Sequence, residues 1–201
     1  MIDNLLWHEL EVTKSFFADA MARADEKSKI DDARIARITD PDDQTIESIV
    51  TDPRGAYEFE QVALRSVINE LNALCEFALQ NTWISLSKLV WLPSETLIYA
   101  AERRDIEAEL AAKGEDVKAW PSWTQVLMIK EMSEGFKHRQ RMQPFPKEVA
   151  SPHPKRRAKE RFVDPKNVKD FAYYELTRNQ TGAYLSAIEE LFRWLDAKYS
   201  I

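Results

Sequence analysis

Apolar residues recur every three to four positions over most of this chain, a period that belongs to α-helices. Leu6, Leu10, Phe17 and Met21 fall on one stripe, which predicts a first helix over residues 3–26 with Asp3 as its N-cap. Leu64, Ile68, Leu71, Cys75 and Ala78 step by four and three within residues 56–92, a run without proline or glycine. One helix over that whole run would be roughly 55 Å long at about 1.5 Å per residue, so a kink near Asn81–Thr82 is expected. Trp83, Ile84, Leu86, Leu89, Val90 and Trp91 crowd its second part and predict burial on several sides, with a buried strand as the alternative. Pro93 ends the run and Ser94 can cap the next helix, over residues 95–113. That helix carries Leu97, Ala100, Ala101, Ile106, Leu110 and Ala111, and Gly114 stands as its C-terminal stop.

Pro121-Ser122-Trp123-Thr124-Gln125 opens another helix, and Ser122 and Gln125 have the spacing of a capping box. Val126, Ile129 and Phe136 form its buried stripe, with Met132 beside it. The last helix is predicted over 170–199, where Tyr184, Ile188, Leu191 and Leu195 repeat the period. Two stretches lose it. Residues 27–55 hold six aspartates with Pro41 and Pro53 and read as an acidic connector, with one short helix around Asp32–Ile38. Residues 143–169 hold five of the nine prolines and read as a long loop. The expected architecture is therefore all-α: a single domain over 1–201, a helical bundle of about five main helices with a long basic loop before the last.

Composition sharpens this picture. Only four glycines occur, too few for the tight turns of a sheet-rich fold. Six tryptophans are spread along the length, so one core is expected to recruit every segment. Cys75 is the single cysteine, which rules out a disulfide within the chain and fits a reducing compartment. The N-terminal residues have no basic n-region and no apolar h-region, and no apolar run approaches a membrane span of about 20 residues. Cytoplasmic residence without a membrane partner is the expectation.

Charge changes the picture most. Residues 137–169 carry eleven basic and three acidic residues, a net +8, while the remainder is −14, so that the whole is −6. Two readings stay open. In one, the basic segment lies over the acidic connector and neutralises it. In the other, Lys137, Arg139, Arg141, Lys155, Arg156, Arg157, Lys159 and Arg161 meet RNA or another anionic partner such as an acidic protein. Lys and Arg release counterions from a phosphate backbone, and Arg grips phosphate in a bidentate way. The acidic remainder would repel a long duplex.

Candidate chemistry is sparse. Glu131, Glu134, His138 and Arg141 project opposite the Val126, Ile129, Phe136 stripe. Glu134 and His138, four apart, suit an acid–base pair or two metal ligands, or else a solvated helix end that favours a histidine. No Glu-x-x-His occurs, so no multi-histidine metal site is expected. Asp40-Pro41-Asp42-Asp43 lacks the glycine and terminal glutamate of a calcium loop and reads as a turn and helix cap. No phosphate loop, nucleophile elbow or dinucleotide fingerprint is present, so no cofactor is expected. Cys75 reads as a core thiol. Phe171, Tyr173, Tyr174 and Tyr184 suit either base stacking or core and dimer contacts. Arg178-Asn179-Gln180 breaks the apolar pattern and suggests an exposed or interfacial face.

Over residues 56–199 the long helices, the ending Glu-Gly-Phe-Lys-His-Arg, the variable loop and the amphipathic Ile-Glu-Glu-Leu-Phe-Arg-Trp-Leu resemble the HEPN-like helical bundles. The resemblance implies a frequently dimeric bundle that is either an RNA-cleaving enzyme or a noncatalytic RNA-binding or accessory protein. The family's nucleases carry an Arg, four to six residues, then His. No such spacing precedes His8, His138 or His153, and the matching His138 has no paired Arg upstream. The leading expectation is thus a noncatalytic binding module acting through residues 137–169. A ribonuclease using His138, Arg139 and Arg141 with Glu131 or Glu134 is the enzyme alternative. A structural or regulatory homo-oligomer joined through the Trp83–Trp91 region is the third.

Overall fold

A computed structural model of the chain describes residues 4–43, 54–87, 103–138, 155–158 and 172–199. Its order is α1 (Asn4–Ile35), α2 (Arg54–Ser87), α3 (Arg103–Ala112), a 3-10 turn (Val117–Ala119), α4 (Trp123–His138), β1 (Lys155–Ala158), β2 (Ala172–Glu175) and α5 (Arg178–Tyr199). The protein is an all-α helical bundle, with β1 and β2 forming a small antiparallel pair beside it. α2 is the central element and packs against α1, α3, α4 and α5.

The helical stripes form one core. Leu64, Ile68, Leu71, Cys75 and Ala78 of α2 are buried against Leu6, Leu10 and Met21 of α1, Ile106 and Leu110 of α3, Val126, Ile129 and Met132 of α4, and Tyr184, Ile188, Leu191 and Leu195 of α5. Burying one such side chain is worth about 1.5–3 kcal/mol, so the stripes outweigh any single polar feature. Aromatic rings close the end of the core. Trp7 meets Phe192 edge-on at 5.6 Å and donates to Asp196 Oδ2 at 2.7 Å. Trp120 meets Trp123 at 5.8 Å and Trp194 at 6.0 Å.

Several local expectations require correction. α1 does not stop at residue 26 but runs to Ile35, so Asp32–Ile35 belong to it rather than to a separate short helix. Residues 26–35 lose the buried stripe yet contain no breaker, and a Lys27–Asp31 pair at 3.0 Å, one helical turn apart, supports the exposed extension. α2 continues unbroken past Asn81 and Thr82 to Ser87. There the Thr82 hydroxyl turns back to the Ala78 carbonyl at 2.8 Å and satisfies itself within the helix. Trp83 and Leu86 pack against the core, and Ile84 is buried. Residues 88–102, with Leu89, Val90, Trp91, Ser94, Leu97, Ala100 and Ala101, lie outside the described residues, as does the Asp3 cap.

Caps decide the helix ends. Asp40 Oδ1 accepts from the backbone N–H of Asp42 at 2.8 Å and Asp43 at 3.3 Å, and residues 41–43 are helical, so the aspartate run does cap a helix. Gly114 adopts φ +82°, and Glu115 N–H reaches Leu110 C=O while Gly114 N–H reaches Ala111 C=O, the bond pattern of a Schellman stop. The capping box at Ser122 and Gln125 is not formed. Ser122 sits at φ +58°, and its hydroxyl donates to Glu190 Oε2 at 2.8 Å across to α5. The box occurs instead at Thr177 and Gln180: Thr177 Oγ1 accepts from Gln180 N–H at 3.2 Å, and Gln180 Oε1 accepts from Thr177 N–H at 3.1 Å.

That box also moves the last helix. It starts at Arg178, not at 170, and residues 172–175 are a strand. Ala-Tyr-Tyr-Glu is short and aromatic, and β1 pairs along one edge of its backbone. The basic stretch before it is correspondingly not all loop, because Lys155–Ala158 form β1. Arg178-Asn179-Gln180 is the first turn of α5 rather than a break in its middle.

Candidate nucleic-acid interface

Of the eight basic residues expected to meet an anion, Lys155, Arg156 and Arg157 lie in β1. The antiparallel register sets Lys155 opposite Glu175, Arg156 opposite Tyr174, Arg157 opposite Tyr173 and Ala158 opposite Ala172. Pairing thus puts Arg156 and Arg157 at register positions opposite Tyr174 and Tyr173, two of the aromatics that the sequence offers for base stacking. Lys137 and His138 are the last two residues of α4. Arg139, Arg141, Lys159, Arg161 and Phe171 lie outside the described residues. Tyr184 is a core residue, which removes it from any stacking surface.

The strand pair is tied to the bundle where β2 turns into α5. Leu176 is buried there, and Gln61 of α2 grips its backbone from both sides. Gln61 Nε2 donates to Leu176 C=O at 2.8 Å, and Leu176 N–H donates to Gln61 Oε1 at 3.1 Å. Two residues on, Arg178 bridges two helices: Nη1 lies 2.7 Å from Asp25 of α1, and Nη2 lies 2.7 Å from Glu60 of α2. The hydrogen bond to Glu60 raises the guanidinium pKa further above its ordinary value against the opposing effect of burial, so Arg178 is a fixed charge. β2 also packs beside α4, which carries Lys137 and His138 at its end.

The sequence pattern does not mark Gln61 or Arg178 as anchors. The signal for Gln61 was present: a glutamine three residues before Leu64, on the buried stripe, must find partners for both amide atoms. Arg178 reads in the sequence only as part of an interruption of the apolar pattern.

Of the catalytic candidates, Arg139 and Arg141 lie outside the described residues. Glu131 and Glu134 are half-buried on α4 and already engaged in other interactions. Among the described residues no group of three or more His, Cys, Asp or Glu could hold a metal ion. Cys75 is buried within the core, and that burial pushes its thiol up to about 12. No helix among the described residues is long and apolar enough to cross a membrane. Comparison of the chain with protein-family models, with curated proteins and with solved structures finds no match.

Proposed function

We propose that this protein is a noncatalytic helical-bundle module that binds single-stranded RNA through its basic segment, residues 137–169. The observation that carries this reading is the pairing of β1 with β2. It sets Lys155, Arg156 and Arg157 in register with Glu175, Tyr174 and Tyr173. Single strands are held by that combination, cations for the phosphates and aromatic rings on which bases stack irrespective of sequence. The acidic remainder of the chain, at −14, favours a short flexible strand over a long duplex, since a strand can follow the cationic segment and leave the body. The resemblance to HEPN-like bundles supports an RNA partner, and the missing Arg before His138 supports a module that binds without cutting.

Filter binding with a random RNA of about 20 nucleotides tests this. Affinity should fall steeply with salt, with a log–log slope of about −0.7 for each phosphate contacted. No detectable retention at low salt would end the RNA reading. RNA recovered from the complex should be uncut, with the parent protein and with His138→Ala alike. Cleavage lost in that variant would point to the enzyme alternative instead.

A further inference from the structure

We propose that the outward seam between α1 and α2 is a docking groove for a cationic amphipathic helix from a partner protein. The two helices run antiparallel, since Asp25 late in α1 and Glu60 early in α2 share Arg178, while Glu9–Phe16 lie beside Ser66–Glu70. Their inner faces fill the core. Their outer rows do not. On α1, Leu5, Glu9, Val12 and Phe16 fall on one row at helical spacing, and on α2, Val62, Ser66, Glu70 and Phe77 do the same. Val12 is 48% exposed, Phe16 46% and Val62 58%, although each is large and apolar. Between the rows is an open groove of about 330 Å³, floored by Thr13 and Val67 and walled by Val12, Phe16 and Ser66.

The charge of the rim selects the occupant. Glu9 on one wall and Glu70 on the other are the charged residues lining the groove, and among the described residues neither has an ion-pair partner. Lys14 is drawn away from this face by Glu11 and, across to α5, by Glu189 at 2.6 Å. Further along α1, Asp19 and Arg23 continue the row, four residues apart and opposite in sign. An apolar seam with a carboxylate on each side fits a helix that has an apolar stripe flanked by Lys or Arg on both edges. A second copy fits poorly, because a two-fold axis through the groove would crowd the carboxylates of both molecules together. Leu5 to Phe16 spans about 16 Å, as does Ser66 to Phe77, so the seated part of the occupant is about three helical turns.

A fluorescein-labelled peptide of leucine and lysine, about 15 residues long and patterned as an amphipathic helix, serves as the probe in anisotropy titrations of the full chain. Saturable binding is expected, with the glutamate-for-lysine version of the peptide failing to bind. Phe16→Ser should weaken binding about tenfold, and Glu9→Gln with Glu70→Gln should do likewise. Asp105→Asn with Glu109→Gln removes the same charge from the exposed side of α3 and should alter affinity less than about twofold. All these side chains are at the surface, and circular dichroism should confirm that each variant stays folded. Equal weakening by both charge pairs would overturn the proposal, since the peptide would then be responding to net charge alone. Indifference to Phe16→Ser, or no saturable binding, would overturn it too. So would sedimentation showing a dimer that Phe16→Ser dissociates, which would assign the groove to a second copy.

Discussion

Glu115 is the residue whose surroundings make the sharpest demand on its charge. Its carboxylate accepts from Trp120 Nε1 at 2.7 Å and from Lys198 Nζ at 2.6 and 2.8 Å, tying the turn after α3 to the end of α5. Burial pushes this carboxyl up, but the Lys198 ammonium and the other donors outweigh it, so the pKa lies below the ordinary glutamate value. A depressed carboxylate stabilises the fold above the unfolded-state pKa, and that contribution disappears as pH falls through the folded-state value. Glu115→Gln should therefore cost about 1–2 kcal/mol at neutral pH in urea unfolding, and the difference from the parent protein should close in acid. Cys75 gives a complementary test. Its thiol stays protonated at neutral and mildly alkaline pH because burial holds it up at about 12. A thiol reagent at pH 8 should leave it unmodified in the native protein and modify it fully after unfolding in concentrated guanidinium.

Elements fold as their side chains can be satisfied, and this separates what the sequence revealed from what it hid. The stripes of α2 and α5 were legible because Leu64, Ile68, Leu71 and Leu191 answer to one period, and burial rewards that period wherever the helix lands. The Asp40 cap was legible because an Asx side chain needs only the next few N–H groups. The Ser122 cap was not, since its hydroxyl finds Glu190, 68 residues away, and no local pattern reports such a partner. The same holds for β1 and β2. Lys-Arg-Arg-Ala reads as loop until Ala-Tyr-Tyr-Glu supplies a pairing strand, and only then do Arg156 and Arg157 take register positions opposite Tyr174 and Tyr173. Two substitutions test the junction that fixes this pair. Thr177→Ala removes one half of the capping box and should cost about 1 kcal/mol. Gln61→Ala leaves the Leu176 N–H and C=O buried without partners and should cost more, about 2–4 kcal/mol, in the same denaturation experiment.

At the scale of the whole molecule the question is what the separation of +8 from −14 accomplishes. If the basic segment neutralised its own body, its charges would be part of the fold's stability, and screening by salt would weaken the protein. If it serves an external anion, the fold should not need it. The buried stripes of the five helices, from Leu10 through Ile68 to Ile188, form one continuous core. Replacing Lys155, Arg156 and Arg157 together by Gln separates the two cases, because one substitution set reports on both. On the RNA reading, stability in urea at low salt should change by less than about 0.5 kcal/mol, the range of substitutions that remove no contact within the fold. RNA affinity at the same salt should fall, and the log–log salt slope should become shallower by about 2, three phosphate contacts at about 0.7 each. Loss of stability with an unchanged RNA slope would reverse the assignment and make the cations an internal strap. The measurement is decisive because the two energies answer to different partners: the urea midpoint senses only contacts the molecule makes with itself, whereas the slope counts only the ions a nucleic acid gives up.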